Sequence, residues 1–350
     1  MKKRILLLVV FILVVLVGCS NIINQKNQKI SDETFLLGTL VKVTIYGENA
    51  DEEDFEGIFK IISDIESKVS RNISTSEISK INSNEIQEIK LSEDTFNIIK
   101  KGLYYSKLSE GRFDITIAPL VSLWGIGTKD ARVPEEKEIK DALKKINYKN
   151  LFLDEENLTI YLKKDTQIDL GGIAKGYVAD KVSEYLKQNK LEHAIINLGG
   201  NILTVGNKPN GDSWKIGIRD PFNTRGREIG VATIGQKSLV TSGIYERYLE
   251  EDGVKYHHIL DPYTGYPVEN ELAGVTIISD YSVDGDGLST VIFSMGLEEG
   301  YKFVEDMENV DAVFITKEKE VYVTSQAEKI FRLTDTNFKL KDFTNGIDKN

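Results

Sequence analysis

The sequence predicts an α+β fold with a mixed, largely antiparallel sheet and flanking helices. Three observations support it. Short stretches such as "LVKVTIYG" (Leu40–Gly47) alternate apolar and polar residues, as a half-buried strand does. Other stretches repeat apolar residues at helical spacing, as at Ile58, Ile61, Ile62, Ile65 and Val69. The two kinds of segment come in blocks rather than in regular βαβ alternation, which argues against a doubly wound parallel sheet.

The chain begins with Lys2-Lys3-Arg4, then runs apolar from Ile5 to Val17 before Gly18 and Cys19. A basic start and an apolar run shorter than the roughly 18 residues of a membrane span describe an export signal. Leu16-Val17-Gly18-Cys19 resembles the lipobox of bacterial lipoproteins, which implies cleavage before Cys19 and acyl lipid such as palmitate on its sulfur. The expected location is the cell membrane, lipid-anchored on the extracytoplasmic face. Residues 1–18 are read as the signal peptide, 19–32 as a lipidated tether and 33–345 as one catalytic domain. The tether reading rests on "NIINQKNQKISD", which is polar and has no apolar periodicity.

Cys19 is the only cysteine, so neither an internal disulfide nor a thiol nucleophile is available. With 41% hydrophobic residues and six prolines, the rest of the chain must be held by an apolar core. Losing Lys2, Lys3 and Arg4 takes the formal charge from −11 to −14. Nucleic acid is therefore excluded as a general partner, and an anionic ligand would need a local cationic spot.

After the first helix, a second is expected from about Thr95 to Leu108 and a third after Val133-Pro134, with proline near its first turn. Strand-like runs occupy Leu151–Leu170, and a helix follows from about Ile173 to Gln188. "AIINLGGNI" and "WKIGIRDP" read as strands, with others around Val231, Leu239, Tyr248, Ile259 and Val275, and a last helix from about Gly287 to Met295.

Three stretches hold candidate chemistry. "IDLGGIAKGYVADKVSEYL" (Ile168–Leu186) puts Lys175 in the first turn of a helix, where the macrodipole disfavours a cation. Asp169 reads either as a helix-entry cap before an ordinary Gly171-Gly172 turn, or as part of a turn whose N–H groups, with Lys175, hold a phosphate. Neither G-x-G-x-x-G nor G-x-x-x-x-G-K-[ST] occurs, so Rossmann and P-loop sites are unsupported. In "VDGDGLSTVIF" an EF-hand fails, because Leu288 and Met295 stand where acidic ligands are needed. Asp286 and Thr290 survive: one turn apart at a helix start, they read as two hard oxygen donors suited to magnesium, or as a cap and a buried threonine. "KYHHILDPYTGYP" holds His257 and His258, two of the three histidines. Neighbouring strand residues face opposite ways, so one of the pair at most can reach a given site, where it would be a candidate general base.

Taken together, these stretches resemble the ApbE family of flavin transferases, which move FMN from FAD onto proteins. The matching blocks are Gly38-Thr39, "GRFDIT", "APLVSLWGIG", "DLGGIAKGYVAD", "NLGGNI", "WKIGIRDP", "TSGIYERY", "YHHILDPYTGYP" and "DGLST", in order along nearly the whole chain. The resemblance implies an ApbE-like, T-fold-related architecture, FAD as substrate, and Mg2+ on its pyrophosphate. It carries flavin contacts onto Arg112, Phe113, Asp114, Asp169, Lys175 and Leu260. Metal ligation carries onto Asp286 and Thr290, with the Gly172 carbonyl and Ser289 as further ligands. Leu37 stands where the family has methionine and Asn72 where it has an aromatic, both at places that would grip flavin or adenine. The expected reaction joins FMN to a Ser/Thr hydroxyl of a partner flavoprotein and releases AMP, with His258 taking the proton and His257 as the second candidate. Hydrolysis of FAD to FMN and AMP, or flavin binding without chemistry, are the competing readings. The family's acceptor motif, Asp-X-X-Ser/Thr-Gly-Ala-Ser/Thr, is absent from the chain, so self-modification is not expected.

Replacing Cys19 by Ala should abolish incorporation of labelled fatty acid and leave the activity of the released domain intact. Continued labelling of the variant would overturn the lipoprotein reading.

Overall fold

Among the described residues nine strands form the main sheet, and their order across it is their order along the chain: β1 (Lys29–Leu36), β2 (Thr39–Tyr46), β3 (Ala194–Leu198), β4 (Asn201–Val205), β5 (Ser238–Gly243), β6 (Leu272–Ser279), β7 (Val310–Thr316), β8 (Glu320–Val323) and β9 (Lys339–Leu340). Neighbours are antiparallel except β8 and β9, which are parallel. The computed structural model describes residues 29–47, 49–83, 88–223 and 226–343. The segment read as a signal peptide, and Cys19, lie outside the described residues. Residues 29–32, read from sequence as the end of the tether, belong to β1.

Among the described residues seven helices leave the sheet and return to it: α1 (Glu52–Val69), α2 (Glu77–Asn82), α3 (Glu93–Leu108), α4 (Ala118–Trp124), α5 (Glu136–Leu143), α6 (Ala174–Gln188) and α7 (Ser282–Glu305). In α1, Asp51 and Asp54 form a reciprocal capping box, and Ile58, Ile62, Ile65 and Val69 make the buried stripe. The helix expected over 287–295 is longer at both ends. It starts at Ser282 because a carboxylate from another helix, Asp180, accepts the Ser282 and Val283 N–H groups at 2.8 and 2.9 Å. At Gly296 (φ 78°, ψ −174°) the helix kinks and then continues. The strand expected at Ile259 is reduced to a single bridge between Leu260 and Pro267, after a short hairpin of Tyr248–Glu251 with Val254–His257. Among the described residues no helix is long and apolar enough to cross a membrane.

Both faces of the sheet are covered. Along β7, Ala312 and Phe314 join the core under the helices, while Val313 and Ile315 join the core under a second sheet. That second sheet has three strands, Trp214–Arg219, Glu228–Ile234 and Phe331–Leu333. All eight residues of β6 are buried as a result. A third cluster of Leu120, Trp124, Ile139, Ala142 and Leu260 ties α4 and α5 to the histidine segment, and Trp124 Nε1 donates to the Gly265 carbonyl at 2.8 Å.

Where α6 meets the start of α7, the backbones touch at Gly176. A Cβ there would strike the Ser282 carbonyl oxygen and lie 2.6 Å from Val283 Cα. Gly176→Ala is therefore expected to force the two helices apart and lower the unfolding free energy by at least the roughly 1–3 kcal/mol of ordinary overpacking. A melting temperature within a degree of the parent's would contradict this packing.

Candidate active site

The turn that leads into α6 is held from below. Asp169 Oδ1 accepts the Gly171 N–H at 2.7 Å, and Oδ2 pairs with Arg71 Nε at 3.2 Å. Arg71 also donates from Nη1 to Ser122 Oγ at 3.0 Å, which fixes the turn to α4. No side chain caps α6 from Ile173. The carboxylate of Asp286 on α7 does part of that work instead: Oδ2 accepts the Gly176 N–H at 2.8 Å, and Oδ1 lies 3.8 Å from Lys175 Nζ. The lysine at the positive end of the helix thus has a resident counter-charge.

Around Asp286, the glycine turn and α7 meet an aromatic ring. A Cβ on Gly172 would lie 2.9 Å from Phe113 Cε2 and 3.6 Å from Thr290 Oγ1, so the bare glycine leaves a small hollow between the ring and the hydroxyl. Ser289 turns inward, accepting from Ser242 Oγ at 2.9 Å and donating to the Asp286 carbonyl oxygen at 2.9 Å. Asp286 is buried and Thr290 half-buried. No group of three or more His, Cys, Asp or Glu side chains converges among the described residues. What converges is one carboxylate, one hydroxyl and a glycine turn, an all-oxygen set that fits a hard divalent cation sharing its shell with a ligand.

The other side of the site comes from the link between β5 and β6. His257 points into the core: Nε2 lies 2.8 Å from the Val268 carbonyl, and the ring meets Phe293 edge-on at 5.7 Å. A carbonyl only accepts, so Nε2 carries the proton, and Nδ1 is buried with no hydrogen-bond partner among the described residues. His258 faces the opposite way, as strand alternation requires. Its N–H donates to the Arg247 carbonyl at 3.1 Å, its Nδ1 is 3.3 Å from the same oxygen, and its Nε2 is 3.9 Å from Glu246 Oε2. The His258 and Glu246 side chains are 34% and 29% accessible, walled by protein yet open on one side.

Desolvation pushes His258 down to about 4, with the charge of Lys175 adding to it and His257 contributing less. Desolvation also lowers His257. The same burial raises Glu246; Lys175 opposes the rise and Asp286 reinforces it. Lys175 therefore acts on both sides at once, and at neutral pH both imidazoles are uncharged.

The structure gathers Gly172, Phe113, Lys175, Asp286, Thr290 and His258 about one region, with Ser289 and Asp169 holding it in place. Asp114 is a buried anchor, raised by desolvation, whose Oδ1 accepts from the Thr116 N–H and hydroxyl and whose Oδ2 accepts the Tyr148 N–H. Arg112 forms an ion pair with Glu299 at 2.9 Å. Leu260 packs in the third core cluster. Leu37 sits in the β1–β2 turn at φ 55°, next to Gly38, whose carbonyl accepts from Arg247 Nη2 at 3.2 Å. Asn72 is exposed beside Arg71. Sequence reasoning missed Glu246, Arg247 and Arg71. The first two lie within the block "TSGIYERY", but in so polar a run a functional glutamate has no pattern to set it apart.

The family model described as "ApbE family" matches residues 37–314. The FAD:protein FMN transferase of Klebsiella pneumoniae (strain 342) is 36% identical over 320 residues, covering 91% of this chain and 99% of its own. The enzyme of the same name from Treponema pallidum (strain Nichols) is 31% identical over 325 residues, covering 87% and 90%. Among solved structures, the ApbE protein of Thermotoga maritima superposes with a TM-score of 0.81 at 32% identity, covering 87% of this chain and 100% of that one. The flavin transferase ApbE of Vibrio cholerae gives 0.78 at 27% identity, covering 87% and 99%. This chain belongs to the ApbE family.

The opposed histidines make a stability test. His257→Ala should cost about 2 kcal/mol or more through a core cavity, whereas His258→Ala should stay within about 0.5 kcal/mol in denaturant unfolding. Equal losses would mean that both rings are structural.

Proposed function

We propose that this chain is an Mg2+-dependent FAD:protein FMN transferase, forming a phosphoester between FMN and a serine or threonine hydroxyl of a partner protein and releasing AMP. The observation that carries the reading is the opposition of an uncharged, solvent-reachable His258 to the Lys175, Asp286 and Thr290 group, with Lys175 coupled to both sides. The transferase names of the K. pneumoniae and T. pallidum relatives support it.

Each residue has a distinct task in this reading. Gly171-Gly172 lets the diphosphate approach the backbone, and Lys175 pairs with its oxygens. Phe113 gives the hollow an apolar wall. Asp286 Oδ1, Thr290 Oγ1 and the Gly172 carbonyl would hold Mg2+, with Ser289 orienting the Asp286 backbone; when bound, the ion neutralises charge on the phosphates. Because Nδ1 of His258 faces a carbonyl, its proton belongs there, leaving Nε2 bare to take the acceptor's hydroxyl proton as oxygen attacks the FMN-side phosphorus. The accessible face of His258 also admits water, so slow splitting of FAD to FMN and AMP is expected when no acceptor is present. We further propose that the enzyme is lipid-anchored through Cys19 on the extracytoplasmic face, a reading supported by the basic start, the apolar run and the lipobox-like residues.

Incubation with FAD, Mg2+ and a polypeptide carrying Asp-X-X-Ser/Thr-Gly-Ala-Ser/Thr should give a covalently fluorescent band in a denaturing gel. FAD recovered intact, with no labelled band, would overturn the assignment. Chelation or Asp286→Ala should stop turnover far more than it weakens flavin binding; full activity in excess chelator would overturn the metal assignment. His258→Ala should lose roughly 10²–10⁴-fold in rate while still binding FAD. With Nε2 proton-free above about pH 4, the rate should lose its base only as pH falls toward that value.

A further inference from the structure

Glu246 is desolvated, and among the described residues the basic side chain within 4.0 Å of it is His258, whose resting ring is uncharged. Arg247 and Arg219 are near enough to act on it electrostatically but form no ion pair with it among the described residues. Arg219 lies instead over the ring of Tyr245, 5.3 Å from its centroid. A carboxylate kept in such a place with no cation bound to it has no evident structural task.

The separation is informative. At 3.9 Å, Glu246 Oε2 and His258 Nε2 are too far apart for a direct hydrogen bond, which ends near 3.2 Å. They are close enough for one hydroxyl oxygen to lie about 2.8 Å from both. The other ring nitrogen, Nδ1, already faces the Arg247 carbonyl at 3.3 Å. Both nitrogens of His258 therefore look at acceptors, an environment that suits the doubly protonated ring better than the neutral one. Around the pair stand Lys175, His257 and Arg247 on the histidine side, and Lys175, Asp286, Arg247 and Arg219 on the glutamate side. Desolvation, with the charge of Lys175 adding to it, keeps the resting ring neutral against the pull of those acceptors.

We propose that Glu246 is the positioning residue for His258: its carboxylate receives the N–H that forms on Nε2 and balances the imidazolium during transfer. The inference rests on the transferase reading and adds a partner to its base. In the step, the acceptor O–H bond breaks and its proton goes to Nε2. The acceptor oxygen bonds to the FMN phosphorus while the P–O bond to AMP breaks, and AMP leaves with that electron pair. The new imidazolium closes on Glu246, then loses its proton to solvent. Glu246 only receives and releases that hydrogen bond, so charge in the pair returns to its starting value. The arrangement parallels the carboxylate–imidazole pairs of hydrolytic triads, in which the carboxylate orients the ring and stabilises its charged form.

The test is Glu246→Gln, with Glu246→Asp beside it. Glu246→Gln should lower kcat for transfer by roughly 10- to 100-fold while KM for FAD stays within about twofold, and Glu246→Asp should recover part of the loss. The His258 ring, followed by NMR in the chain without FAD, should take up its proton at lower pH in Glu246→Gln than in the parent, because a negative neighbour has been removed. The acid limb of the rate profile should move in the same direction. A Glu246→Gln variant with parental kcat, a loss confined to KM, or an unchanged His258 titration would each overturn the proposal. If the parent chain itself produced no labelled acceptor, the transferase reading would fail, and the NMR titration would still decide whether the two side chains form a pair.

Discussion

The site depends on an exchange of carboxylates between two helices. Asp180, on α6, accepts the first N–H groups of α7; Asp286, on α7, accepts an early N–H of α6. Each helix supplies a carboxylate to N–H groups at the other's positive end, α6 having no acidic residue in its first turn and α7 having Asp284, and Gly176 lets the two backbones come close enough to do so. Desolvation raises Asp180 to about 6, while the two N–H groups it accepts pull the other way. The same exchange aims the second oxygen of Asp286 toward Lys175, so the contact that packs the helices also sets up the chemistry.

From that junction the rest follows by placement. The main sheet keeps chain order, so every long excursion returns beside the strand it left, and the β1–β2 turn, the glycine turn of α6 and the histidine segment all come to one region. Arg247 links two of these pieces by donating to the Gly38 carbonyl. His257 and His258 show how one alternation serves two ends: the first closes the core against Phe293, and the second opens to solvent.

Much of this was legible in the amino-acid sequence, and the failures have physical causes. The stripe of α1 and the alternation of β2 are local patterns, so they read directly. The start of β1, "KISD", did not, because an edge strand exposed over most of its length has no reason to alternate. The true start of α7 was hidden because Asp180, which caps it, is a hundred residues upstream in another helix. Asp286, Thr290 and Lys175 could be found as a spacing and an oddly placed charge. Arg112 matched its motif, but its ion pair with Glu299 is a long-range contact that no motif encodes. Glu246 needed the fold, since only there does it leave the polar crowd of its own segment and meet a histidine.

The direction of β1 sets a working distance. The strand enters the sheet at Lys29 and runs to the turn at Leu37-Gly38, whose carbonyl is held by the arginine next to Glu246. Eight residues of strand put the reactive end about 27 Å from the point of entry. Under the proposed lipid anchor, the reactive end would stand a strand's length from the end of the chain that leads to the lipid, so that an acceptor's height above the membrane would count beside its motif.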